Sequence, residues 1–332
     1  MGPLRALRGP SAACDDYIIG VGTANIRASA PTRLQCPHEQ IARAGLTPIS
    51  DGGVMARATD GKIIMSIGGQ SCYRTFAHPT FAPQNPCDVA IVMPTTIRKT
   101  IADSLRSVFG QDFAGRIQVL IGIDCPDGDI GLIEQTCADL PPHCCVQVIY
   151  PGYSTSARHG GLHPSRDGGV LRCVLTYLAN SRHVTYLDDD NWWAENHLSS
   201  MRAAIEGHDW AFSLRWFVHP HTRRQICVDR WESLGPGKGV FTRGFGGWVD
   251  PNCLMYDKFA CDPVNPLWAK PMATDDTRGL SSDRNVFDLL RHNPRWRATN
   301  QPSVYYQLNP DDINHASRVQ AIGDDYEKAG RN

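Results

Sequence analysis

From Asp88 onward, short apolar runs alternate with stretches whose apolar residues recur at helical spacing, and this alternation is the strongest constraint on the fold. Val89-Ala-Ile-Val-Met93 is bounded by Pro94 and reads as a buried strand. Ile97, Ile101, Leu105 and Val108 follow at spacings of four, four and three, one face of a helix of about three turns. Gln118 to Asp124 reads as a second buried strand, and strand–helix–strand in this order implies a right-handed crossover joining a parallel pair. Val146 to Tyr150 is a further strand. Val170, Val174 and Leu178, with Leu171 and Leu175 beside them, give a helical stripe. His183 to Leu187 is a strand ending at Asp188. Leu198, Met201 and Ile205 mark the next helix, with Gly207 as its stop, and Trp210 to Val218 is a longer strand. Strands alternating with helices predict an α/β layered domain with a mostly parallel central sheet.

The length, 332 residues, suits one large domain or two modest ones, and 42% apolar against 20% charged residues suits a packed core rather than a disordered chain. A net charge of −1 gives no long-range field to collect nucleic acid, so any polyanion is gripped locally, at a site. No apolar run reaches the length of a membrane span, and no apolar stretch follows Arg5 and Arg8, so neither a transmembrane segment nor a secretory signal is expected. The expected location is the cytoplasm, including the inner face of its membrane. Twelve cysteines without a C-x-x-C pair read as free thiols, not as a zinc ribbon. Residues 1–86 differ from the rest in being rich in Gly, Pro, Ser and Thr. Within them, Asp60-Gly61 between Val54–Thr59 and Lys62–Ile67 predicts a two-residue hairpin, and Pro79, Pro83 and Pro86 mark a linker. A small β-containing N-terminal extension, 1–86, is therefore expected ahead of a main domain, 87–332.

Ligands of open parallel sheets bind at the carboxyl ends of the strands. Two such ends finish in acid: Val119-Leu-Ile-Gly-Ile-Asp124 and Val184-Thr-Tyr-Leu-Asp188-Asp189-Asp190-Asn191. If these strands are neighbours, their acids meet on one edge. Clustered carboxylates repel and raise one another's pKa, and a divalent cation removes the conflict; oxygen donors of this kind suit Mg²⁺ or Mn²⁺, completed by substrate phosphates. A polar turn capping a helix near Trp192 is the plainer reading, but a cap needs one such residue and here four stand in series.

Together Val89-Ala-Ile-Val-Met-Pro-Thr95, Ser104-Leu-Arg-Ser-Val-Phe-Gly-Gln111, Val119 to Asp124 and Tyr186-Leu-Asp-Asp-Asp-Asn-Trp-Trp193 resemble the family 2 glycosyltransferases of the GT-A fold, over about residues 88–295. The resemblance implies a nucleotide-binding half at about 88–191, an acceptor half at about 192–300, and an inverting transfer from a nucleotide-diphosphate sugar, UDP-linked by expectation, to a glycan, lipid-linked or protein acceptor. It places Pro94 and Thr95 where the first strand meets the nucleotide. Either Asp124 or Asp127 would contact base or ribose, because the usual Asp-Asp-Gly is here Asp124-Cys-Pro-Asp127-Gly128. Arg166 and Asp167 lie near the family's Arg-Asn segment, with Asp where Asn is usual. Asp188 and Asp190 match the D-x-D motif, Asp190 as direct metal ligand and Asp188 beside it, with Asp189 between them in the donor site. The family also has an acid at a helix start to act as base. Here it is Asp283, in Ser281-Ser282-Asp283-Arg284 before Val286, Leu289 and Leu290, although Ser282 stands where Glu is common.

Weaker signals have bland alternatives. Asp283 can be a helix N-cap, with Asp275 and Asp276 as substitute bases. Trp192 and Trp193 are candidates to stack on a sugar or to pack in the core. Gly235 to Gly247 reads as a surface loop, with a mobile flap as the second choice. His292-Asn-Pro-Arg-Trp296 is only faintly like the Q-x-x-R-W segment of processive synthases. His159 with His163, and His219 with His221, lack the surrounding ligands of a zinc site. The rivals to a transferase are a nucleotidyltransferase acting on a sugar phosphate, which would carry a Gly-rich loop where Thr95-Thr96-Ile97-Arg98-Lys99 has none, and a non-catalytic sugar- or nucleotide-binding module of the same fold.

Overall fold

A computed structural model describes residues 57–59, 62–64, 71–125, 128–166, 168–271 and 282–331. Strands β1 (Arg57–Thr59) and β2 (Lys62–Ile64) pair antiparallel with Thr59 opposite Lys62, the register of the hairpin expected around Asp60-Gly61. The outer parts of that expected hairpin lie outside the described residues.

The main sheet is mixed and, among the described residues, ten-stranded. Its centre is a parallel block made of β4 (Val89–Thr95), β5 (Ile117–Ile123), β6 (Cys144–Tyr150) and β7 (His183–Tyr186), ordered β6-β5-β4-β7, with β3 (Cys72–Ala77) antiparallel on the outer edge of β6. Thus β3, within the expected N-terminal extension, is the edge strand of this sheet. Every residue of β4 and β5 is buried, which is why both read as continuous apolar runs instead of alternating ones. Helix α1 (Ile101–Phe109) follows β4, and α2 (Gly131–Thr136) follows β5. Ile97 is not on α1, as its spacing suggests, but in the preceding loop with φ 63°.

Helix α3 (Gly169–Leu178) packs on β4 and β5, and Gly122 makes this close approach possible: a Cβ there would lie 2.8 Å from Leu175 Cδ1 and 3.2 Å from Leu171. The stripe expected on α3 is only half right. Leu171 and Leu175 are buried, but Val174 and Leu178 are exposed. Arg172 and Thr176 take the inward positions instead, because each has a polar partner beneath it: Arg172 meets Asp188, and the Thr176 hydroxyl lies 2.7 Å from that of Tyr186.

The other half of the sheet mixes directions. After β8 (Trp192–Trp193) and α4 (His197–Ile205) comes β9 (Trp210–Val218), whose bounds are those expected. It pairs antiparallel with β10 (Gln225–Val228). The segment read as a surface loop holds β11 (Gly235–Pro236), α5 (Thr242–Phe245) and, paired to β11, β12 (Gly247–Trp248). Strand β13 (Leu254–Asp257) lies antiparallel between β7 and β9. Helix α6 (Asp283–Leu290) then leads to the long β14 (Trp296–Gln307), parallel to β9 and antiparallel to β8. Helices α7 (His315–Ile322) and α8 (Asp324–Gly330) follow. No described helix is long and apolar enough to cross a membrane.

One buried group links the core to pH. His197, without solvent exposure, stacks on Trp193 at 4.2 Å and faces Ser303 Oγ from Nδ1 at 2.8 Å. Burial pushes its pKa from 6.5 down to about 3. Between those values the unfolded chain takes up a proton that the folded chain does not, so stability falls as pH falls, by about 1.4 kcal/mol per pH unit from this residue. Urea denaturation of wild type and His197→Gln across about pH 7 to 4 should show a shallower loss in the variant; parallel slopes would exclude His197 as a source of acid lability.

Candidate active site

The acid triplet sits at the carboxyl end of β7, where the chain turns toward β8, and each carboxylate has its own environment. Asp189 is fully buried: it accepts from Thr95 Oγ1 at 2.5 Å and from Arg98 Nε at 2.7 Å. Arg98 bridges to Asp190, its Nη1 donating to Oδ2 at 2.6 Å. Desolvation, with repulsion from Asp188 and Asp189 added, pushes the Asp190 carboxyl up to about 7 even against Arg98. Asp188 turns the other way. Arg172 donates to its Oδ1, Asn252 Nδ2 donates to its Oδ2 at 3.0 Å, and its own backbone N–H donates to Asn252 Oδ1 at 2.6 Å.

Asn252 is itself fixed, donating from Nδ2 to Asp250 Oδ1 at 2.7 Å. The other Asp250 oxygen accepts from Arg215 Nη1 at 2.6 Å. Arg215 has no solvent exposure and also holds Asp229 at 2.8 Å and Glu232 at 2.7 Å. Its guanidinium lies 4.1 Å from the Tyr306 ring centre. Arg318 adds a second grip on Glu232 and one on Asp312.

A cavity of about 930 Å³ opens beside this network, with Arg166, Arg172, Asp188, Trp248, Asp283 and Arg284 on its walls. Asp283 is the first residue of α6, so it is not the cap, and Trp248 Nε1 donates to its Oδ2 at 3.1 Å. Gly169 lines the same wall, and a Cβ there would come within 2.3 Å of the Trp268 carbonyl oxygen and 2.2 Å of Ser165 Oγ.

The structure therefore brings Asp188, Arg166 and Asp283 to one space. It does not bring Asp124 there. Strand β4 separates β5 from β7, so the two acidic strand ends are not neighbours. The Asp124 carboxylate is turned to the loop after β6, accepting from Thr155 N–H at 2.8 Å, from Thr155 Oγ1 at 2.6 Å and from Ser154 Oγ at 2.9 Å, with His159 Nδ1 at 3.0 Å. Burial alone would raise this carboxyl; the bonds from Thr155, His159 and Ser154 outweigh it and hold it below the usual range. Pro94 packs against Gly168, and Thr95 holds Asp189. Trp193 is core, and its indole N–H donates to the Asn252 carbonyl at 3.2 Å. Trp192 stacks on Tyr305 at 5.6 Å and under Arg223 at 4.4 Å; neither tryptophan lines the cavity. Asp127, Asp167, Asp275 and Asp276 lie outside the described residues. His163 Nδ1 accepts from Ser165 N–H, and His219 Nδ1 from the N–H groups of His221 and Thr222, so both histidines close local turns. Sequence reasoning missed Arg98, Arg172, Trp248, Asn252 and Arg284.

Among the described residues no cluster of three or more His, Cys, Asp or Glu side chains could hold a metal ion on its own. Asp188 lines the cavity and Asp190 does not; one faces Arg172 and Asn252 and the other Arg98, so a Mg²⁺ or Mn²⁺ shell shared by both would need one carboxylate to rotate. Burial, with Asp188 and Asp189 close by, disfavours the Asp190 carboxylate; a divalent cation would favour it, and substrate phosphates would supply further oxygens.

No protein-family model and no curated protein matches this sequence. Solved structures are similar at low identity. Staphylococcus aureus TarS 1–349 in complex with UDP-GlcNAc is 14% identical with a TM-score of 0.48, over 71% of this chain and 65% of that one. A further TarS structure is 15% identical with a TM-score of 0.47, over 71% of this chain and 39% of that one. The mannosyltransferase PcManGT from Pyrobaculum calidifontis, in complex with GDP-Man and Mn²⁺, is 13% identical with a TM-score of 0.45, over 75% and 66%. This chain thus spans less than two thirds of these two TarS chains.

Asn252 is the hinge pin of the site. Asn252→Ala should lower unfolding free energy by about 1–3 kcal/mol, since it leaves the Asp188 N–H without its buried acceptor. Asn252→Asp should cost more, because it sets a third acid against Asp188 and Asp250. Urea denaturation gives the ranking, and a fully stable Asn252→Asp would disprove the orienting role.

Proposed function

We propose that the chain is a nucleotide-sugar-dependent glycosyltransferase of the family 2, GT-A type that inverts the anomeric centre. The observation that carries this is the meeting of Asp188, from the end of β7, with Asp283, from the start of α6, on one cavity that also takes Arg166 and Arg172. A strand-end acid and a helix-start acid are the two positions that the sequence resemblance assigns to donor binding and to the base.

The chemistry follows from these positions. A nucleotide diphosphate lies toward Asp188, where Arg166 and Arg172 offer positive charge to its phosphates. Asp188 and Asp190 would hold a Mg²⁺ or Mn²⁺ ion, which when bound neutralises the leaving diphosphate. The acceptor hydroxyl approaches on the Asp283 side. Its oxygen forms the new bond to the anomeric carbon, its proton passes to an Asp283 carboxylate oxygen, and the nucleoside diphosphate departs with the bonding pair. Trp248 fixes that carboxylate by donating from its indole N–H to Oδ2. Attack from the face opposite the leaving group inverts the configuration.

Arg98 supports a second reading. Its guanidinium already bridges Asp189 and Asp190, and a module that neutralises its triplet in this way would bind nucleotide without a metal ion.

Calorimetric titration with UDP separates the two. Wild type should bind in Mn²⁺ and weakly without it, and Asp190→Ala should abolish the metal-dependent part; binding equal in all three cases would favour the metal-free module. Asp283→Asn should keep its UDP affinity but lose donor turnover by about 10²–10⁴-fold. Turnover at the normal rate in that variant would place the base elsewhere.

A further inference from the structure

Four arginines are buried among the described residues: Arg172, Arg215, Arg284 and Arg318. Three are paired with carboxylates, Arg172 with Asp188, Arg215 with Asp229, Glu232 and Asp250, and Arg318 with Glu232 and Asp312. Arg284 makes no ion pair with any described residue, and its Nη1, shielded from solvent, has no hydrogen-bond partner. The residue is only 4% exposed. Its guanidinium is held by rings instead, 4.0 Å from Trp248, 4.1 Å from Phe241 and 5.4 Å from Phe245.

This is an unusual way to bury a cation. Aromatic faces stabilise the charge and set the plane of the guanidinium, but they accept none of its in-plane N–H bonds. Arginine stays protonated at any ordinary pH, so it cannot escape by neutralising. A buried donor of this kind is costly unless something arrives to accept from it. Arg284 lines the cavity, and it stands in the first turn of the eight-residue α6, whose N-terminal N–H groups also favour negative charge.

We propose that Arg284 binds an oxyanion carried by the acceptor, a sugar carboxylate or phosphate, so that the acceptor is an anionic saccharide. This rests on the reading of Asp283 as base for the acceptor hydroxyl. Arg284 is the next residue, and both touch Trp248, one by hydrogen bond and one by stacking. The acceptor is therefore gripped beside the group that takes its proton, while Arg166 and Arg172 serve the donor phosphates on the Asp188 side. A planar fork suits either a carboxylate or a phosphoryl group.

The test is tryptophan fluorescence titration of the full chain with glucuronate, glucose 6-phosphate and glucose, alongside calorimetry with UDP and Mn²⁺, for wild type, Arg284→Gln and Arg284→Lys. At least one of the two sugar anions should bind wild type better than neutral glucose does. Arg284→Gln should weaken that binding by about tenfold or more, Arg284→Lys by less, and UDP affinity should not move. If Arg284→Gln instead weakens UDP and spares the sugar anions, the anion belongs to the donor and the acceptor assignment falls. Unchanged affinities throughout would make Arg284 a packing residue. Should Arg284→Gln not fold, the wild type still decides: no preference for either anion over glucose overturns the proposal. Sugar-anion binding without any UDP binding would defeat the transferase reading and leave the Arg284 site standing.

Discussion

The site depends on a charge placed where water does not reach. Arg215 has no exposure, and its three nitrogens donate one each to Asp229, Asp250 and Glu232. Removing one partner from a buried pair of this type typically costs about 3–5 kcal/mol, because the remaining charge is stranded. That penalty makes the network stiff. Asp250 is held by Arg215, Asn252 by Asp250, and Asp188 by Asn252, so the first acid of the triplet is located by a guanidinium on β9 with which it makes no contact. The opposite end of the network, through Glu232 and Arg318 to Asp312, ties the segment after β14 to the same anchor.

The triplet gains its character from an uneven division of partners. Asp189 takes the structural share, buried against Thr95 and Arg98, and so joins the ends of β4 and β7. Asp188 and Asp190 are left partly open on either side of it, their side chains 26% and 20% exposed. Three acids in series are then not redundant: the middle one fixes the turn, and its neighbours present oxygen. Arg98 is half exposed where it meets Asp190, whereas Arg172, on the inward side of α3, is buried where it meets Asp188.

Much of the parallel block was legible because its physics is local. Burial on both faces writes itself as unbroken runs such as Val89 to Met93, and β9 was readable to the residue for a similar reason. β13 and β14 were not. β13 is four residues long, and β14 carries Thr299-Asn-Gln-Pro302, with register shifts around Pro302 that mask its period. Acids at a strand end and a helix start are conspicuous, and Asp188 and Asp283 do line one cavity. Asp124 was conspicuous too, but no local pattern says that β4 comes between β5 and β7. Arg215 and Arg284 were invisible for a deeper reason: an arginine in a strand or helix reads as a surface residue until the elements around it are assembled.

The close seat of α3 on β5 reaches beyond packing. Because Gly122 leaves no room between strand and helix, positions 122, 171 and 175 form one steric unit. Any side chain gained at 122 must be matched by volume given up at Leu171 or Leu175, or α3 lifts and takes Arg172 away from Asp188. The absence of a side chain on one strand thus holds a helix down, and through that helix holds a guanidinium on the carboxylate it faces.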